Sequence, residues 1–167
     1  MACKELLERY LREMGVPYQT QHHPLAYTAR EVAASEQLPP RLMAKVVIAV
    51  AGEMPMMLVL PADERIHLGA VAYVTDTSSP RVAREDELAR WFPDCAVGAM
   101  PPFGNLYEMP VYVDDALTKD ETFYFQAGTH ADTMSMKYAD YERLVKPMVG
   151  SFAAVPGPIH ELVDAAR

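Results

Sequence analysis

The chain has 167 residues, of which half are apolar and 23% charged, and a chain of this size can bury one hydrophobic core. Its net charge of −8 argues against a non-specific DNA binder, because such a protein needs many cations to displace phosphate counterions. No apolar run approaches the roughly 18 residues of a membrane span, and the chain starts with a charged helical pattern. We therefore expect a cytoplasmic protein with no membrane partner.

The first half of the chain predicts two helices separated by an extended segment. Residues 4–14 place their apolar side chains on one helical face, and residues 17–23 follow as the extended segment. Thr28 stands three residues before Glu31, which is the pattern of a capping box. It predicts a second helix that runs to about residue 37.

Two fully apolar runs, 46–50 and 56–60, flank a glycine-containing connection and predict a buried hairpin. Weaker patterns predict short helices over 66–74 and 84–91. The following elements are three strands, a closing helix and a loop, predicted over 110–113, 122–126, 133–138, 141–145 and 150–158.

The order of these elements predicts an α+β fold, a single domain whose mixed, mainly antiparallel sheet is flanked by helices. We place the domain at residues 1–150. The remaining residues, 151–167, form a C-terminal tail in which Ile159, Leu162 and Val163 have the spacing of a short amphipathic helix.

The segment Gly98–Gly104 combines two glycines with the pair Pro101–Pro102. Glycine allows positive φ and a close approach of backbone to a ligand, whereas proline fixes φ and removes a donor. The segment is therefore either a rigid connection or a loop that presents backbone N–H groups to a developing negative charge.

Two further side chains are candidate functional groups, although each also has a purely structural interpretation. Lys45 opens the most apolar strand, so it is either a solvated strand end or a cation held at the mouth of a pocket for a phosphate or carboxylate. His130 lies in a turn between two predicted strands, where it is either simply exposed or available to a substrate.

The remaining candidate groups exclude several chemistries. His22 and His23 are adjacent, point to opposite faces of a strand and cannot share a metal ion, so neither a metal nor a cofactor is expected. Cys3 and Cys95 are too few for a disulfide framework, and we predict that both are reduced thiols. The neighbouring Asp94 disfavours a thiolate at Cys95, although a small-molecule hydrolase using this thiol stays open as an alternative.

Several short motifs occur in an order that resembles the YbaK family, the prolyl-tRNA-synthetase-associated editing domains. They are His23-Pro24, Thr28-Ala29-x-Glu31-Val32-Ala33, Ala44-Lys45, Val59-Leu60-Pro61-Ala62, Gly98-x-x-Pro101-Pro102-Phe103-Gly104, Val111-Tyr112-Val113-Asp114 and Ala127-Gly128. The resemblance covers roughly residues 4–148. It implies a YbaK-like fold with a curved sheet.

The resemblance also implies a function, the hydrolysis of mischarged aminoacyl-tRNA in trans without a protein nucleophile. Lys45, Gly98 and His130 would be the catalytic residues, with Lys45 meeting the phosphate or ribose of the 3′-terminal adenosine. The implied substrate-binding residues are Thr28, Ala29, Ala99, Met100, Pro101, Pro102, Phe103, Gly104 and Gly128. The implied partners are an aminoacylated tRNA acceptor end and, as a further candidate, prolyl-tRNA synthetase.

A small amino acid is the expected cargo, with alanyl-tRNA(Pro) ahead of cysteinyl- or seryl-tRNA. A synthetase separates substrates that differ by one methylene by only about 1–3 kcal/mol, so a second sieve is useful for small side chains. The competing hypothesis is a non-catalytic binding module for an aminoacyl-tRNA end, a nucleotide or an amino acid.

Overall fold

The computed structural model describes residues 1–154 and the backbone of residues 162–163. The α-helices of this part of the chain are α1 Cys3–Glu13, α2 Ala29–Ser35, α3 Leu68–Thr75, α4 Glu85–Trp91 and α5 Tyr138–Val145. The strands are β1 Gln19–His22, β2 Ala44–Ala51, β3 Met54–Pro61, β4 Arg65–His67, β5 Arg81–Val82, β6 Val111–Asp114, β7 Thr122–Gln126, β8 Asp132–Lys137, β9 Met148–Gly150, β10 Ala153–Ala154 and β11 Leu162–Val163. No helix within the described ranges is long and apolar enough to cross a membrane.

The strands form three sheets. The central sheet has the order β5-β2-β3-β6-β9, in which β5, β2 and β3 are antiparallel while β6 and β9 add in parallel. A second, antiparallel sheet has the order β1-β8-β7, and a parallel bridge between Met43 and Tyr124 joins it to the start of β2. The third is β10-β4-β11. This arrangement confirms the predicted α+β fold with mixed, mainly antiparallel sheets.

The two strands of the central hairpin are apolar except for Lys45, because the sheet is covered on both faces. Ile48 packs into the larger core cluster together with side chains of α1, α4, α5 and the second sheet. Its neighbours Val47 and Ala49 point the other way and pack with Ile66 and Phe152. A strand buried on both faces shows no alternation of apolar and polar residues, which explains the two uninterrupted apolar runs.

Helix α2 begins where the sequence predicts. The Thr28 hydroxyl accepts a hydrogen bond from the N–H of Glu31 at 3.1 Å, and the Glu31 carboxylate accepts one from the N–H of Thr28 at 3.0 Å. The inner face of the helix, which includes Ala29 and Val32, packs against the start of β2 and the end of β3. This packing places the N-terminal end of α2 beside the strand that carries Lys45.

Two predicted helices differ from the structure. The helix expected over 66–74 starts at Leu68, because the preceding residues form β4 and the His67 side chain accepts a hydrogen bond from Ala70 as its N-cap. In the tail, Leu162–Val163 pairs with β4 as β11, so the predicted helix is wrong at these two residues. The other tail positions, 155–161 and 164–167, lie outside the described residues.

The chain beyond β9 is tied to the central sheet by one carboxylate. Asp114, 4% exposed at the end of β6, accepts hydrogen bonds from the backbone N–H groups of Phe152 at 3.0 Å and Ala153 at 3.1 Å. Its second oxygen accepts one from Ala116 at 3.1 Å. Because Phe152 packs in the core cluster behind the central sheet, the two residues that follow it are held next to β4.

Candidate active site

His130 is held in one orientation by the segment that leads into the glycine–proline loop. Its Nε2 lies 2.9 Å from the carbonyl oxygen of Val97, and because a carbonyl only accepts, the hydrogen is on Nε2. In the neutral ring, Nδ1 then carries a lone pair, and this atom is buried without a hydrogen-bond partner among the described residues. The hydrogen bond therefore holds the imidazole beside the residue that precedes Gly98.

The turn that carries His130 is held by a half-buried acid, Asp132. Asp132 accepts hydrogen bonds from the Thr129 hydroxyl at 2.6 Å and from Lys4 at 3.3 Å. Its Oδ1 also lies 3.2 Å from the His22 ring. Burial raises the pKa of Asp132, but these partners outweigh burial, so that its pKa lies below the ordinary value and the carboxylate stays charged.

The loop 98–104 is rigid because its side chains are part of the core. Met100 is 3% exposed and Phe103 is fully buried, packing on Phe125 and Tyr141. The Tyr141 hydroxyl donates a 2.6 Å hydrogen bond to the carbonyl oxygen of Pro102. The side chains of this loop are therefore used for packing, which leaves the backbone as the group available to a substrate.

At the end of the loop, the backbone of Gly104 packs closely against Val111. A Cβ on Gly104 would stand 2.6 Å from the Val111 side chain, so no larger residue fits there without movement. The peptide bonds before Pro101 and Pro102 are both trans, because the described chain contains no cis peptide.

Not every N–H group of the loop is used in a hydrogen bond within the described residues. Gly98, with φ of +86°, and Met100 donate no hydrogen bond to any acceptor within the described residues. By contrast, the N–H of Ala99 donates to Ala96, and the N–H of Gly128 donates to the carbonyl oxygen of Ala99 at 2.9 Å. The hydrogen bonds of Gly128 to Ala99 and of His130 to Val97 tie the turn at residues 128–130 to this loop.

Lys45 lies on the neighbouring strand. The bridge between Met43 and Tyr124 puts the start of β2 alongside β7, so Lys45 is level with Gln126, just before Ala127 and Gly128. Lys45 is only 5% exposed, which contradicts a solvated strand end. The compact ammonium group of this lysine is suited to a phosphate.

An acidic group faces the same region. Burial raises the pKa of Glu64, the carboxylates of Asp114 and Asp63 raise it further, and Lys45 lowers it. Asp63 also has a buried carboxylate oxygen without a hydrogen-bond partner in the described part of the chain. Lys45 is therefore not an isolated charge but lies near acidic side chains at the end of the hairpin.

Thr28 and Ala29, the remaining predicted substrate-binding residues, serve the local structure. The Thr28 hydroxyl caps α2, and Ala29, 3% exposed, packs beneath it. They nevertheless adjoin the site, since the ring of the preceding residue, Tyr27, lies 4.9 Å from the ring of His130.

The sequence reasoning missed two residues of this region. Tyr27 belongs to no motif, and its contact with His130 is formed only in the tertiary structure. Gln126, 5% exposed, has a buried amide nitrogen without a hydrogen-bond partner among the described residues. The available signal was a polar residue at the end of a strand that contains three consecutive aromatic residues.

The prediction that both cysteines are reduced is wrong. Cys3 and Cys95 form a disulfide that links positions 92 residues apart. Helix α1 brings Cys3 to the 94–96 segment, where its N–H also donates to the carbonyl oxygen of Asp94 at 3.0 Å. Sequence spacing alone does not show this proximity, because the two residues meet only through tertiary packing.

The disulfide packs directly behind the candidate site. The Tyr107 hydroxyl donates to the Asp94 carboxylate at 3.1 Å and lies 3.2 Å from the Cys95 sulfur. Within the described residues, the group of potential metal ligands that converges is Cys3, Asp94 and Cys95. With both sulfurs bonded to each other, only the carboxylate is left as an anionic ligand, which does not fit a zinc site.

A groove of about 530 Å³ lies elsewhere, lined by the strands of the β1-β8-β7 sheet and by Glu36 and Leu38, which follow α2. Its lining includes Gln19, Tyr124, Thr133 and Lys137 but neither Lys45 nor His130. The candidate site is thus defined by converging polar groups and not by this groove.

Comparison with known proteins agrees with the fold and the motifs. The family model of the aminoacyl-tRNA editing domain matches residues 23–144. No curated protein sequence is significantly similar to the chain. A crystal structure of a hypothetical protein superposes with a TM-score of 0.81 at 17% identity, covering 89% of this chain and 99% of that one.

A second crystal structure, of a candidate trans-editing enzyme for prolyl tRNA synthetase, also superposes with a TM-score of 0.81. It is 18% identical and covers 92% of this chain and 98% of that one. At such identities the two structures establish the fold alone. The family match extends over most of the chain and includes Lys45, the 98–104 loop and His130. The chain belongs to the aminoacyl-tRNA editing domain family.

Proposed function

We propose that this chain is a trans-editing hydrolase that removes a small amino acid from mischarged tRNA. The preferred substrate is alanyl-tRNA(Pro), followed by cysteinyl- or seryl-tRNA. The observation that supports this best is the 2.9 Å hydrogen bond between the His130 ring and the carbonyl oxygen of Val97, which holds the imidazole beside the residue that precedes Gly98. Family membership supplies the substrate class.

The chemistry requires few protein groups because an aminoacyl ester is already activated. A water molecule attacks the ester carbonyl, the carbon–oxygen bond to the ribose breaks, and the released ribose oxygen takes up a proton. The N–H groups of Gly98 and Met100 are available to stabilise the carbonyl oxygen as negative charge develops on it. In this proposal the Nδ1 lone pair of His130, which is buried without a partner among the described residues, accepts a hydrogen bond from the water or from the substrate amino group in the bound complex.

No protein nucleophile takes part in this proposal. The sulfur of Cys95 is engaged in the disulfide, which removes the basis for a hydrolase that uses a thiol here. The Thr28 hydroxyl is also engaged, because it accepts a hydrogen bond as the N-cap of α2. Catalysis would then depend on positioning and on preorganised donors, which together can supply a large part of a rate enhancement.

Lys45 would bind the phosphate or ribose of the 3′-terminal adenosine. A net charge of −8 is unfavourable for contact along a whole RNA, so contact restricted to the acceptor end is the arrangement that fits this chain. We expect the enzyme to act in the cytoplasm, with prolyl-tRNA synthetase as the candidate source of its substrate. We also keep residues 1–150 as the proposed editing domain.

The test is deacylation of alanyl-, cysteinyl-, seryl- and prolyl-tRNA(Pro) by wild type, Lys45→Ala, Lys45→Met and His130→Ala. We expect loss of one small amino acid with prolyl-tRNA spared, and a rate reduced about 10²–10³-fold when a transition-state donor or cation is removed. Lys119→Ala is the matched control, because Lys119 is 68% exposed and pairs only locally with Asp115.

Thermal unfolding of each variant separates a lost contact from a lost fold, and Lys45→Met preserves the packing of the lysine stem. Full activity of a folded Lys45→Met variant would refute the proposed role of Lys45 in substrate binding. If every ester survives with wild-type protein while aminoacyl-tRNA still binds saturably, the chain is a binding module and the hydrolase proposal is wrong.

A further inference from the structure

Tyr27 is an exposed aromatic residue in contact with the candidate site. Its side chain is 59% exposed, and its ring centroid lies 4.9 Å from that of His130 at an interplanar angle of 47°. Of the strongly exposed aromatic side chains in the described residues, Tyr27 and Tyr73, only Tyr27 touches a candidate site residue. Tyr73 lies on α3, whose buried face packs behind the central sheet.

The position of Tyr27 is well determined by its backbone. Its N–H lies 3.3 Å from the Glu31 carboxylate, which also closes the capping box of α2. The N–H of the preceding residue, Ala26, donates to the carbonyl oxygen of His130 at 3.0 Å. The segment is thus attached both to the helix and to the catalytic turn, so the ring needs little ordering when a ligand binds.

The surroundings of Tyr27 favour a flat apolar ligand. Leu25 is 67% exposed on the same connection, and together the two residues form an apolar surface beside the site. A solvent-exposed aromatic face attracts a nucleobase because every base has a π-face and stacking requires no hydrogen-bond pattern. In single-stranded RNA, unstacked bases are typically recognised in this way.

The distance between the cleaved ester and the bases of the tRNA indicates which base can reach Tyr27. The ester that is cleaved is attached to the ribose of the terminal nucleoside, so the base of that nucleoside lies within one nucleoside length of His130 and Gly98. We propose that Tyr27 is the stacking platform for the adenine of the 3′-terminal adenosine, positioning the ester against the loop amides. This inference rests on the proposed function and adds a specific substrate contact to it.

Two measurements test the proposal. The first is steady-state deacylation of the mischarged tRNA by Tyr27→Ala, Tyr27→Phe and, as matched control, Tyr73→Ala. Tyr27→Ala should raise KM about 5- to 150-fold, the range expected for one lost base stack, with a smaller effect on kcat. Tyr27→Phe keeps the π-face and should behave as wild type, as should Tyr73→Ala.

The second measurement is direct binding of adenosine 5′-monophosphate and of ribose 5-phosphate, which lacks the base. Adenosine 5′-monophosphate should bind wild type and Tyr27→Phe and bind Tyr27→Ala about 5- to 150-fold more weakly, whereas ribose 5-phosphate should not distinguish the three. This assay does not depend on hydrolysis. Adenosine 5′-monophosphate binding that depends on Tyr27, without deacylation by wild type, would support the stacking platform and refute the hydrolase.

Active wild-type enzyme whose KM and nucleotide binding are unchanged in Tyr27→Ala would overturn the platform and leave the hydrolase intact. The same holds if Tyr27→Ala changes only binding to prolyl-tRNA synthetase, because the exposed surface would then be a protein contact. Absence of both deacylation and adenosine 5′-monophosphate binding would overturn both proposals.

Discussion

The hydroxyl of Tyr141, a fully buried side chain of α5, donates a 2.6 Å hydrogen bond to the carbonyl oxygen of Pro102. Burial raises the pKa of this phenol well above 10, so it remains a donor at any working pH. The last helix of the described chain therefore holds the loop whose N–H groups are proposed to meet the substrate.

Tyr141→Phe should lower the free energy of unfolding by about 1–3 kcal/mol, because the Pro102 carbonyl oxygen loses its partner in a buried site. Deacylation should fall as well, since the loop amides lose a support. Chemical denaturation and the rate of deacylation measure the two effects. Tyr138→Phe is the matched control: the Tyr138 hydroxyl is buried without a partner in the described residues, so its removal should be neutral or stabilising. Equal losses in the two variants would contradict the prediction.

Gly128→Ala should be more destabilising than Gly52→Ala. Both glycines have positive φ, +97° and +62°, so both substitutions introduce backbone strain of about 1–2 kcal/mol. At Gly128 the new Cβ would also stand 2.6 Å from the Cys3 sulfur, whereas the space around Gly52 is open. Denaturation of both variants isolates the contact as the difference between them. A difference of zero would mean that helix α1 does not press on the turn as the structure shows.

Breaking the Cys3–Cys95 disulfide should destabilise the fold. The bond closes a loop of 92 residues, and removing such a crosslink typically costs about 2–4 kcal/mol through the freedom gained by the unfolded chain. Cys3→Ser and wild type treated with dithiothreitol should unfold at the same denaturant concentration. Free-thiol titration under non-reducing conditions should detect no thiol in unfolded wild-type protein. Two titratable thiols in protein purified without reductant would contradict the bond.

The acid stability of the chain should depend on Glu87. Arg81 donates to both oxygens of this carboxylate at 2.8 and 2.9 Å, and the N–H of Arg84 adds a third bond. The pKa of Glu87 falls from 4.5 to about 2, first because of the hydrogen bonds from Arg81. A carboxyl group whose pKa is lower in the folded chain than in the unfolded chain stabilises the fold at pH values above the unfolded-state pKa. This stabilisation is lost as the pH falls towards the folded-state pKa.

Wild type should therefore lose stability relative to Glu87→Gln between pH 4.5 and about 2, while the difference between them stays constant at higher pH. Unfolding measured across this range checks the prediction. Arg81→Met should give a pH dependence between those of wild type and Glu87→Gln, because it removes the ion pair with Arg81 but leaves the hydrogen bond from the Arg84 N–H. A constant difference from pH 2 to pH 7 would show that the pair does not couple to protonation.

Local sequence patterns determined much of the architecture. The spacing of Thr28 and Glu31 predicted the start of α2, and the apolar runs predicted the β2–β3 hairpin, because a capping hydroxyl and a strand's hydrophobicity act over a few residues. The helix expected from Ile66 onward begins later, since pairing of Ile66 with Ala153 overrides a weak local preference. The motif order also indicated the family, which the match of the family model over residues 23–144 confirms.

Tertiary structure alone decided the contacts between segments that are distant in the chain. No spacing rule brings Cys3 to Cys95, Tyr27 to His130 or Tyr141 to Pro102, because each pair is joined by packing of whole elements across the core. The same packing turns Met100 and Phe103 inward and leaves the N–H groups of the loop as its available chemistry. The sequence by itself thus determined the elements and the family, whereas the tautomer of His130 and the donors beside it follow from long-range contacts.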